Sequence, residues 1–229
     1  MSNTAVFIPA RYASSRFPGK PLCDLAGKTM IERVYETCKQ SGFDTYVLTD
    51  NMQIARLFDW ETCWIDQSIA FENGTERCAG AVVNDFFDAY DQFVNVQGDM
   101  PDVTVDMIEK TVWHLKHYSI TTLYTDMKKD LQNDPNSVKL IRSGDRCLWF
   151  GRGMTGYGDW HLGIYGYRRN AIEMYSNLQV EREEQVEKLE QLRWLKNGWD
   201  IGVLKTSFDG IEINSPEDAE KWNRRNTCL

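Results

Sequence analysis

Three cations lie within ten residues of one another in a loop that also contains Ser, Gly and Pro. They are Arg11, Arg16 and Lys20 in the segment RYASSRFPGKPL. Glycine lets a backbone approach its ligand, and Arg and Lys neutralise phosphate charge, so the spacing suits a triphosphate with a departing pyrophosphate. A solvated surface loop is the alternative, and the spacing does not decide between them. A P-loop is excluded, because that pattern would need glycine at Ser14 and Ser or Thr at Pro21.

An aspartate follows a glycine directly after a predicted strand, at Asp99 in the segment NVQGDMP. Mg²⁺ prefers hard oxygen ligands and is usually held by one or two carboxylates together with substrate phosphates and water. In open α/β sheets, ligands bind outside the carboxyl ends of the strands. Asp99 is therefore a candidate Mg²⁺ ligand, and an aspartate that only shapes a turn is the alternative.

The elements that must position these residues alternate between strands and helices. Strands are predicted at residues 4–9, 45–49, 93–96, 161–167 and 201–206, and helices at residues 28–40, 77–90, 181–196 and 215–225. Two alternating runs around Ser143-Gly144-Asp145 predict a β-hairpin between residues 137 and 150. Strand–helix–strand order implies parallel pairing through right-handed crossovers. The predicted fold is therefore α/β, with an open, mainly parallel sheet flanked by helices.

Length and charge limit the classes of function. A chain of 229 residues is long enough for one large α/β domain. The net charge of -8, without a block of Lys or Arg, disfavours nucleic acid and anionic membranes as partners. No run of about 18 apolar residues and no leader segment is evident, which predicts a cytoplasmic location. The six cysteines are scattered without a Cys-x-x-Cys pair and are predicted to be reduced, packed thiols.

Six segments in fixed order carry a resemblance to a known family. They are IPARYASSRFPGKPL at 8–22, NGTERCAG at 73–80, NVQGD at 95–99, HLGIYGYR at 161–168, EKLEQLR at 187–193 and SPEDAE at 215–220. Together they resemble the CMP-Kdo synthetases, the 3-deoxy-manno-octulosonate cytidylyltransferases. The resemblance implies a nucleotide-diphospho-sugar transferase type of fold, as a single domain over residues 1–229. It also implies a homodimer, paired through a projecting element at about residues 152–198.

The resemblance further implies a reaction and its residues. CMP would pass from CTP to the anomeric hydroxyl of a 3-deoxy-ulosonic acid, Kdo or a close relative, with Mg²⁺ as cofactor and pyrophosphate as the second product. The implied catalytic residues are Arg16, Lys20 and Asp99, and no dedicated general base is identified. The implied nucleotide-binding residues are Pro9, Ala10, Arg11, Arg16, Lys20, Gly74, Thr75, Arg77 and Gln97. The implied sugar-binding residues are Gln97, Arg152, His161, Tyr165, Glu190 and Gln191.

Three departures from the family pattern lie at the metal and acceptor ends. Met100 stands where the family has a carboxylate beside the residue that corresponds to Asp99. Arg152 is the one residue kept from a stretch that contains prolines in the family. Asn214 replaces the aspartate that is the second metal ligand in the family. Glu212 would share a strand face with Asn214 and is a candidate replacement ligand. Two alternatives therefore stay open. One is transfer to another acidic acceptor, namely an amino-ulosonic acid, a sialic-acid-like sugar or a phosphonate, and the other is an inactive paralogue that binds nucleotide or sugar.

Overall fold

The computed structural model describes residues 3–13 and 17–227. In chain order its strands are β1 (Thr4–Ala10), β2 (Asp24–Leu25), β3 (Lys28–Thr29), β4 (Asp44–Thr49), β5 (Cys63–Ile65), β6 (Gln92–Val96), β7 (Ile120–Thr125), β8 (Lys139–Ser143), β9 (Arg146–Gly151), β10 (Asp159–Arg168) and β11 (Gly202–Lys205). The α-helices are α1 (Met30–Gln40), α2 (Met52–Ala55), α3 (Gly74–Val82), α4 (Val105–His114), α5 (Arg169–Met174), α6 (Arg182–Glu187), α7 (Leu192–Lys196) and α8 (Pro216–Thr227). Every predicted strand and the hairpin are present, whereas β7 and α4 have no counterpart among the predicted elements.

The central sheet is mixed. Within the described residues, nine strands form one sheet in the order β5-β4-β1-β6-β10-β7-β11-β9-β8. Strands β5, β4, β1 and β6 run parallel, as do β7 and β11, but β10 is antiparallel to both β6 and β7. The prediction of a mainly parallel sheet is therefore wrong beyond β6. Strand β10 follows the β8–β9 hairpin with no intervening helix, so no crossover turns it parallel to its neighbours.

Helices cover both faces of the sheet, and β1 is an interior strand between β4 and β6. Alternate side chains of a strand point to opposite faces. Phe7 accordingly packs in a core with α3, α5 and α7, and Ile8 packs in a second core with α1 and α4. A strand buried on both faces reads as a continuous apolar run, which explains the segment TAVFIPA.

The cysteines are reduced, as the sequence predicts, in the part of the chain that the structure describes. Cys23, Cys38, Cys63, Cys78 and Cys147 are free thiols, and Cys228 lies outside the described residues. Burial raises the pKa of the Cys23 and Cys63 thiols to about 11, so both stay protonated at neutral pH.

No α-helix in the described part of the chain combines the length and apolar character needed to cross a bilayer.

Two predicted helices are shorter than expected. The helix predicted at 181–196 is divided into α6 and α7, because Lys188 adopts the left-handed conformation with φ 54° and ψ 47° and ends α6. The prediction of a single helix is therefore wrong, and the side chain of Val186 in α6 is 70% exposed. The helix predicted at 77–90 is α3, which ends at Val82 and is followed by a short 3-10 turn.

The predicted start of the C-terminal helix is confirmed. Ser215 Oγ accepts a hydrogen bond from the Asp218 N–H at 3.3 Å, and the Asp218 carboxylate accepts from the N–H groups of Asn214 and Ser215 at 2.9 Å each. Side-chain acceptors of this kind satisfy the free N–H groups at a helix start. The backbone of Asn214 is thereby fixed to the first turn of α8.

Asp102 fastens α8 to the loop that follows β6. Its Oδ1 accepts from Trp222 Nε1 at 2.8 Å, and its Oδ2 accepts from the Ile211 N–H at 2.8 Å and from Arg225 Nη2 at 2.5 Å. Trp222 is 4% exposed, so the indole N–H has little access to water. One carboxylate therefore holds the helix and the segment that precedes it.

We expect Asp102→Ala to lower the free energy of unfolding by about 2 to 4 kcal/mol, because it leaves a buried indole N–H and a backbone N–H without an acceptor. Urea denaturation would measure the change. Asp209→Ala is the matched control, since this carboxylate is exposed on the neighbouring loop and should change stability by less than about 0.5 kcal/mol. Equal losses in the two variants would contradict the role given to Asp102.

Candidate active site

A cavity of about 640 Å³ lies at the carboxyl ends of β1 and β6. Its other walls come from the start of α3, from one face of β10 and from the segment that joins α6 to α7. The predicted site residues that line it are Pro9, Ala10, Arg11, Lys20, Gly74, Arg77, Gln97, Asp99, Arg152, His161, Tyr165, Glu190, Gln191, Glu212 and Asn214. Arg16 lies outside the described residues. Most of the residues implied by the resemblance are thus brought together in one cavity.

The basic loop reaches the cavity through Lys20. Gly19 precedes it with φ 71°, in the left-handed region that favours glycine, and this turns the chain into a 3-10 turn over Lys20–Leu22. Lys20 Nζ lies 2.7 Å from Asp99 Oδ2 and donates to the Ile213 carbonyl at 3.1 Å. Both charged side chains are largely buried, with exposures of 17% and 25%. The loop cation and the strand-end carboxylate therefore meet directly.

Glu212 and Asn214 line the cavity beside this ion pair. They lie on an extended segment outside any strand, so the expected strand face is replaced by loop backbone. The Ile213 N–H donates to the Asp99 carbonyl at 3.0 Å, and the buried Ile213 side chain contributes to a third small core. Alternation along this extended backbone still brings residues 212 and 214 to the cavity.

The donor set at this end fits a divalent cation. The pKa of Glu212 is raised to about 7, mainly by burial and also by the negative charge of Asp99, while a hydrogen bond from Gly163 N–H and the charges of Lys20 and Arg152 act in the opposite direction. A cation at this place would offset the cost of burying the Glu212 charge. Among the described residues, no three His, Cys, Asp or Glu side chains form a group that could hold a metal. A cation here would need further oxygen ligands from substrate or water.

Met100 belongs to the hydrophobic core. It is fully buried and packs with Met107 and Ile164 between the sheet and α4. Its Sδ also lies 3.4 Å from the place where a Cβ on Gly163 would be. The thioether at this position therefore alters the packing under the cavity.

Glu190 joins two walls of the cavity. Its Oε2 accepts from the Thr75 N–H at the start of α3 at 3.1 Å, and its Oε1 accepts from Gln97 Nε2 at 3.0 Å. Burial raises the pKa of this carboxyl, and the hydrogen bonds from Thr75 and Gln97 lower it. The Thr75 side chain is itself buried, with Oγ1 3.4 Å from the Tyr167 hydroxyl. Thr75, one of the residues implied to bind nucleotide, therefore does not line the cavity and contacts the site through the hydrogen bond from its backbone N–H to Glu190.

Arg77 is 3% exposed and carries an unused donor. Its Nη2 donates to Asp50 Oδ2 at 2.6 Å, and its guanidinium lies 5.2 Å from the centre of the Phe71 ring. Its buried Nη1 has no hydrogen-bond partner within the described residues. Gln191 is 2% exposed, and its amide Nε2 also has no hydrogen-bond partner in the part of the chain described. Both residues line the cavity.

Arg152 brings a positive charge to the cavity. Its backbone N–H donates to Glu187 Oε2 at 2.7 Å, its Nε to the Glu187 carbonyl at 3.1 Å, and its Nη1 to the Asn136 carbonyl at 2.9 Å. The two carbonyl oxygens orient the guanidinium. A guanidinium held in this way can contact an anionic group.

His161 and Tyr165 lie on the same face of β10 and are uncharged. His161 Nε2 lies 3.0 Å from Thr122 Oγ1, and its ring packs edge to face against Phe150 at 4.9 Å. The pKa of His161 is lowered to about 3, mainly by burial and also by the nearby charge of Arg152. Burial raises the pKa of Tyr165 well above its usual range. Both side chains can therefore exchange hydrogen bonds with a ligand, but neither adds charge.

The sequence-based prediction did not name three residues that contribute to the site: Asp50, Glu187 and Asn136. Asp50 follows β4, so the same position rule that indicated Asp99 could have indicated it. Glu187 lies within one of the family-like segments. Asn136 acts through its backbone carbonyl, for which a sequence gives no signal.

Comparisons with known proteins agree with this geometry. The cytidylyltransferase family profile matches residues 5–201. The 8-amino-3,8-dideoxy-manno-octulosonate cytidylyltransferase of Shewanella pealeana is 37% identical, over 98% of this chain and 99% of its own. The 3-deoxy-manno-octulosonate cytidylyltransferase of Parabacteroides distasonis is 36% identical, over 93% of this chain and 94% of its own.

A solved structure gives the same result. The structure of CMP:2-keto-3-deoxy-manno-octonic acid synthetase complexed with CTP matches 99% of both chains, with a TM-score of 0.89 and 29% identity. The resemblance found in the sequence is thus confirmed over nearly the whole chain. The protein belongs to the cytidylyltransferase family and is an enzyme of that type.

Proposed function

We propose that this enzyme transfers CMP from CTP to the anomeric hydroxyl of a 3-deoxy-ulosonic acid and releases pyrophosphate. The observation that carries the proposal is one cavity that contains two sets of cationic groups. Lys20 pairs with Asp99, and Arg152 lies near the uncharged His161. A triphosphate and a sugar carboxylate need separate cationic sites, and this arrangement supplies both.

The triphosphate end would act by charge neutralisation and positioning. Arg11, Arg16 and Lys20 are the proposed phosphate-binding cations, and Lys20 is already held beside Asp99 at 2.7 Å. The Lys20 ammonium can donate to phosphate oxygens as negative charge builds on the departing pyrophosphate. No covalent enzyme intermediate is needed for the in-line attack of a sugar hydroxyl on the α-phosphorus.

Cytidylyltransferases of this family generally use a divalent metal. For this chain we propose Mg²⁺, held by Asp99 with oxygen atoms of Glu212 and Asn214. When bound, the ion would neutralise triphosphate charge and acidify the attacking hydroxyl. The two carboxylates and the amide supply the hard oxygen ligands that Mg²⁺ prefers, and the repulsion between Asp99 and Glu212 supports a cation at this place.

The acceptor end would recognise a carboxylate and several hydroxyls. Arg152 would bind the carboxylate, and Gln97, His161, Tyr165, Glu190 and Gln191 would exchange hydrogen bonds with the hydroxyls. The related enzymes at 37% and 36% identity are named for acceptors with and without an 8-amino group. The proposed acceptor class therefore includes both sugars.

The alternative functions are an inactive paralogue and transfer to another acidic acceptor. An inactive paralogue is disfavoured, because full-length relatives are enzymes and the Lys20–Asp99 pair is intact. A sialic-acid-like sugar or a phosphonate is an outcome of the acceptor screen below.

We also propose that residues 152–198 pair two subunits and that the enzyme acts in the cytoplasm.

We expect pyrophosphate release with CTP and a 3-deoxy-ulosonic acid, and a clear preference for CTP over ATP and GTP. A pocket that binds a pyrimidine edge rejects purines by size and by leaving its polar groups unpaired. The measurement is a pyrophosphate-release assay with Mg²⁺, each nucleotide, and a panel of Kdo, its 8-amino analogue, sialic acids and phosphonates. Equal turnover with ATP, or turnover with a phosphonate alone, would overturn the proposed function.

We expect Lys20→Ala and Arg16→Ala each to lower turnover by about 10² to 10³-fold while leaving the KM for the sugar acid nearly unchanged. The reason is that both cations act on the leaving group. Steady-state kinetics against both substrates would measure the effect. Lys28→Ala is the matched control, because Lys28 is exposed and pairs with Glu36 at 2.6 Å outside the cavity. Wild-type turnover in both test variants would refute their assigned roles.

We expect Asp99→Ala to abolish turnover and Glu212→Gln to raise the Mg²⁺ concentration needed for half-maximal rate. Asp99→Asn should also inactivate the enzyme, although it keeps an acceptor for Lys20. Asn214→Asp should tighten Mg²⁺ binding if the ion lies near residue 214, and should have little effect if Glu212 has replaced that ligand. Magnesium titrations of rate, with calorimetric Mg²⁺ binding in the presence of CTP, separate these outcomes. Full magnesium-dependent activity in Asp99→Ala would show that the metal site is elsewhere.

A further inference from the structure

Lys139 is a buried lysine close to the acceptor end of the cavity. It is the first residue of β8 and is 1% exposed. Its Nζ donates to three backbone carbonyls, those of Asp134 at 2.5 Å, Ser137 at 2.9 Å and Arg152 at 3.4 Å. A carbonyl oxygen only accepts, and an ammonium group has three donors. Each donor therefore has one acceptor, and the side chain is protonated in this arrangement.

Packing alone does not account for a lysine at this position. Removing an ammonium group from water is costly unless its donors are satisfied, and methionine would fill a similar volume without that cost. Burial, as the largest effect, and the charge of Arg152 both lower the pKa of Lys139, while Asp134 raises it. The three carbonyl contacts offset this cost. They also add contacts between two segments that the β8–β9 pairing, with Lys139 opposite Gly151, brings close together.

The segments that Lys139 joins are two parts of the cavity wall. One is the turn at residues 134–137, and the other is the backbone of Arg152 just after β9. Within the turn, the Asn136 carbonyl accepts from Arg152 Nη1 at 2.9 Å. Asn136 and Arg152 both line the cavity. The ammonium group thus fixes the Arg152 backbone and also the turn whose carbonyl orients the Arg152 guanidinium.

We propose that Lys139 is a positioning residue for the acceptor: it holds the 134–137 turn against Arg152, so that the Arg152 guanidinium meets the carboxylate of the sugar acid. The inference rests on the proposed function, since it assumes that Arg152 binds this carboxylate. Lys139 does not touch the substrate in this proposal. Its positive charge also favours an anion at this end of the cavity, at a distance and without direct contact.

The test is Lys139→Met in the full chain, assayed with CTP, Mg²⁺ and the sugar acid that the wild-type enzyme uses. We expect the KM for the sugar acid to rise about tenfold or more, with the KM for CTP within about twofold of wild type, because only the acceptor end is loosened. Lys205→Met is the matched control. Lys205 is an exposed lysine of the same sheet, paired with Asp126 at 2.7 Å, and both of its KM values should equal those of the wild type.

A merely structural role would give a different result. A smaller folded fraction lowers the apparent kcat and leaves both KM values unchanged, and that result would overturn the proposal. Lys139→Gln keeps two N–H donors and is the second variant if Lys139→Met does not fold, with a smaller rise in the same KM expected. A wild-type enzyme that turns over no sugar acid would refute the proposed function and this inference together. A normal acceptor KM in an active variant would refute this inference alone.

Discussion

The ion pair between Lys20 and Asp99 joins three parts of the chain that are far apart in sequence. Lys20 follows β1, Asp99 follows β6, and the Ile213 carbonyl that also accepts from Lys20 precedes α8. The pair is largely buried, so salt screens it less than a surface pair. Because Glu212 and Asn214 flank Ile213, the position of every proposed metal ligand depends on this one junction. Asp102 supports it from behind by holding α8 and the Ile211 backbone.

Buried charges join the remaining walls in the same way. Arg193 is 4% exposed, contacts Glu184 at 2.7 Å and Glu76 at 2.9 Å, and lies 4.1 Å from the centre of the Tyr175 ring. It links α3, at the proposed nucleotide end, to α6 and α7, at the proposed acceptor end. Buried ion pairs are tolerated only with well-satisfied geometry. Their arrangement here gives a cavity whose walls come from distant segments and yet hold fixed positions.

The residues that depart from the family pattern lie in different surroundings in the structure. Met100 packs into the core and does not line the cavity. Asn214 does line the cavity, beside Glu212, whose pKa is raised by burial and by Asp99. The substitution at residue 214 therefore lies in the proposed metal site, whereas the one at residue 100 lies in the core. Lys20, the proposed phosphate-binding cation, keeps its ion pair with Asp99.

Local sequence determined the elements and the positions of the polar loops. Apolar periodicity specified the strands, Ser215 and Asp218 specified the start of α8, and the strand-end position of Asp99 brought it to the cavity. The antiparallel direction of β10, the break at Lys188 and the burial of Glu190 were decided by the tertiary structure. The physical reason is that these features depend on contacts between distant residues, such as Lys20 with Asp99, 79 residues apart, and Glu190 with Thr75, 115 residues apart. Periodicity records which face of a segment is apolar, but it carries no information about which distant segment will cover that face or pair with its charges.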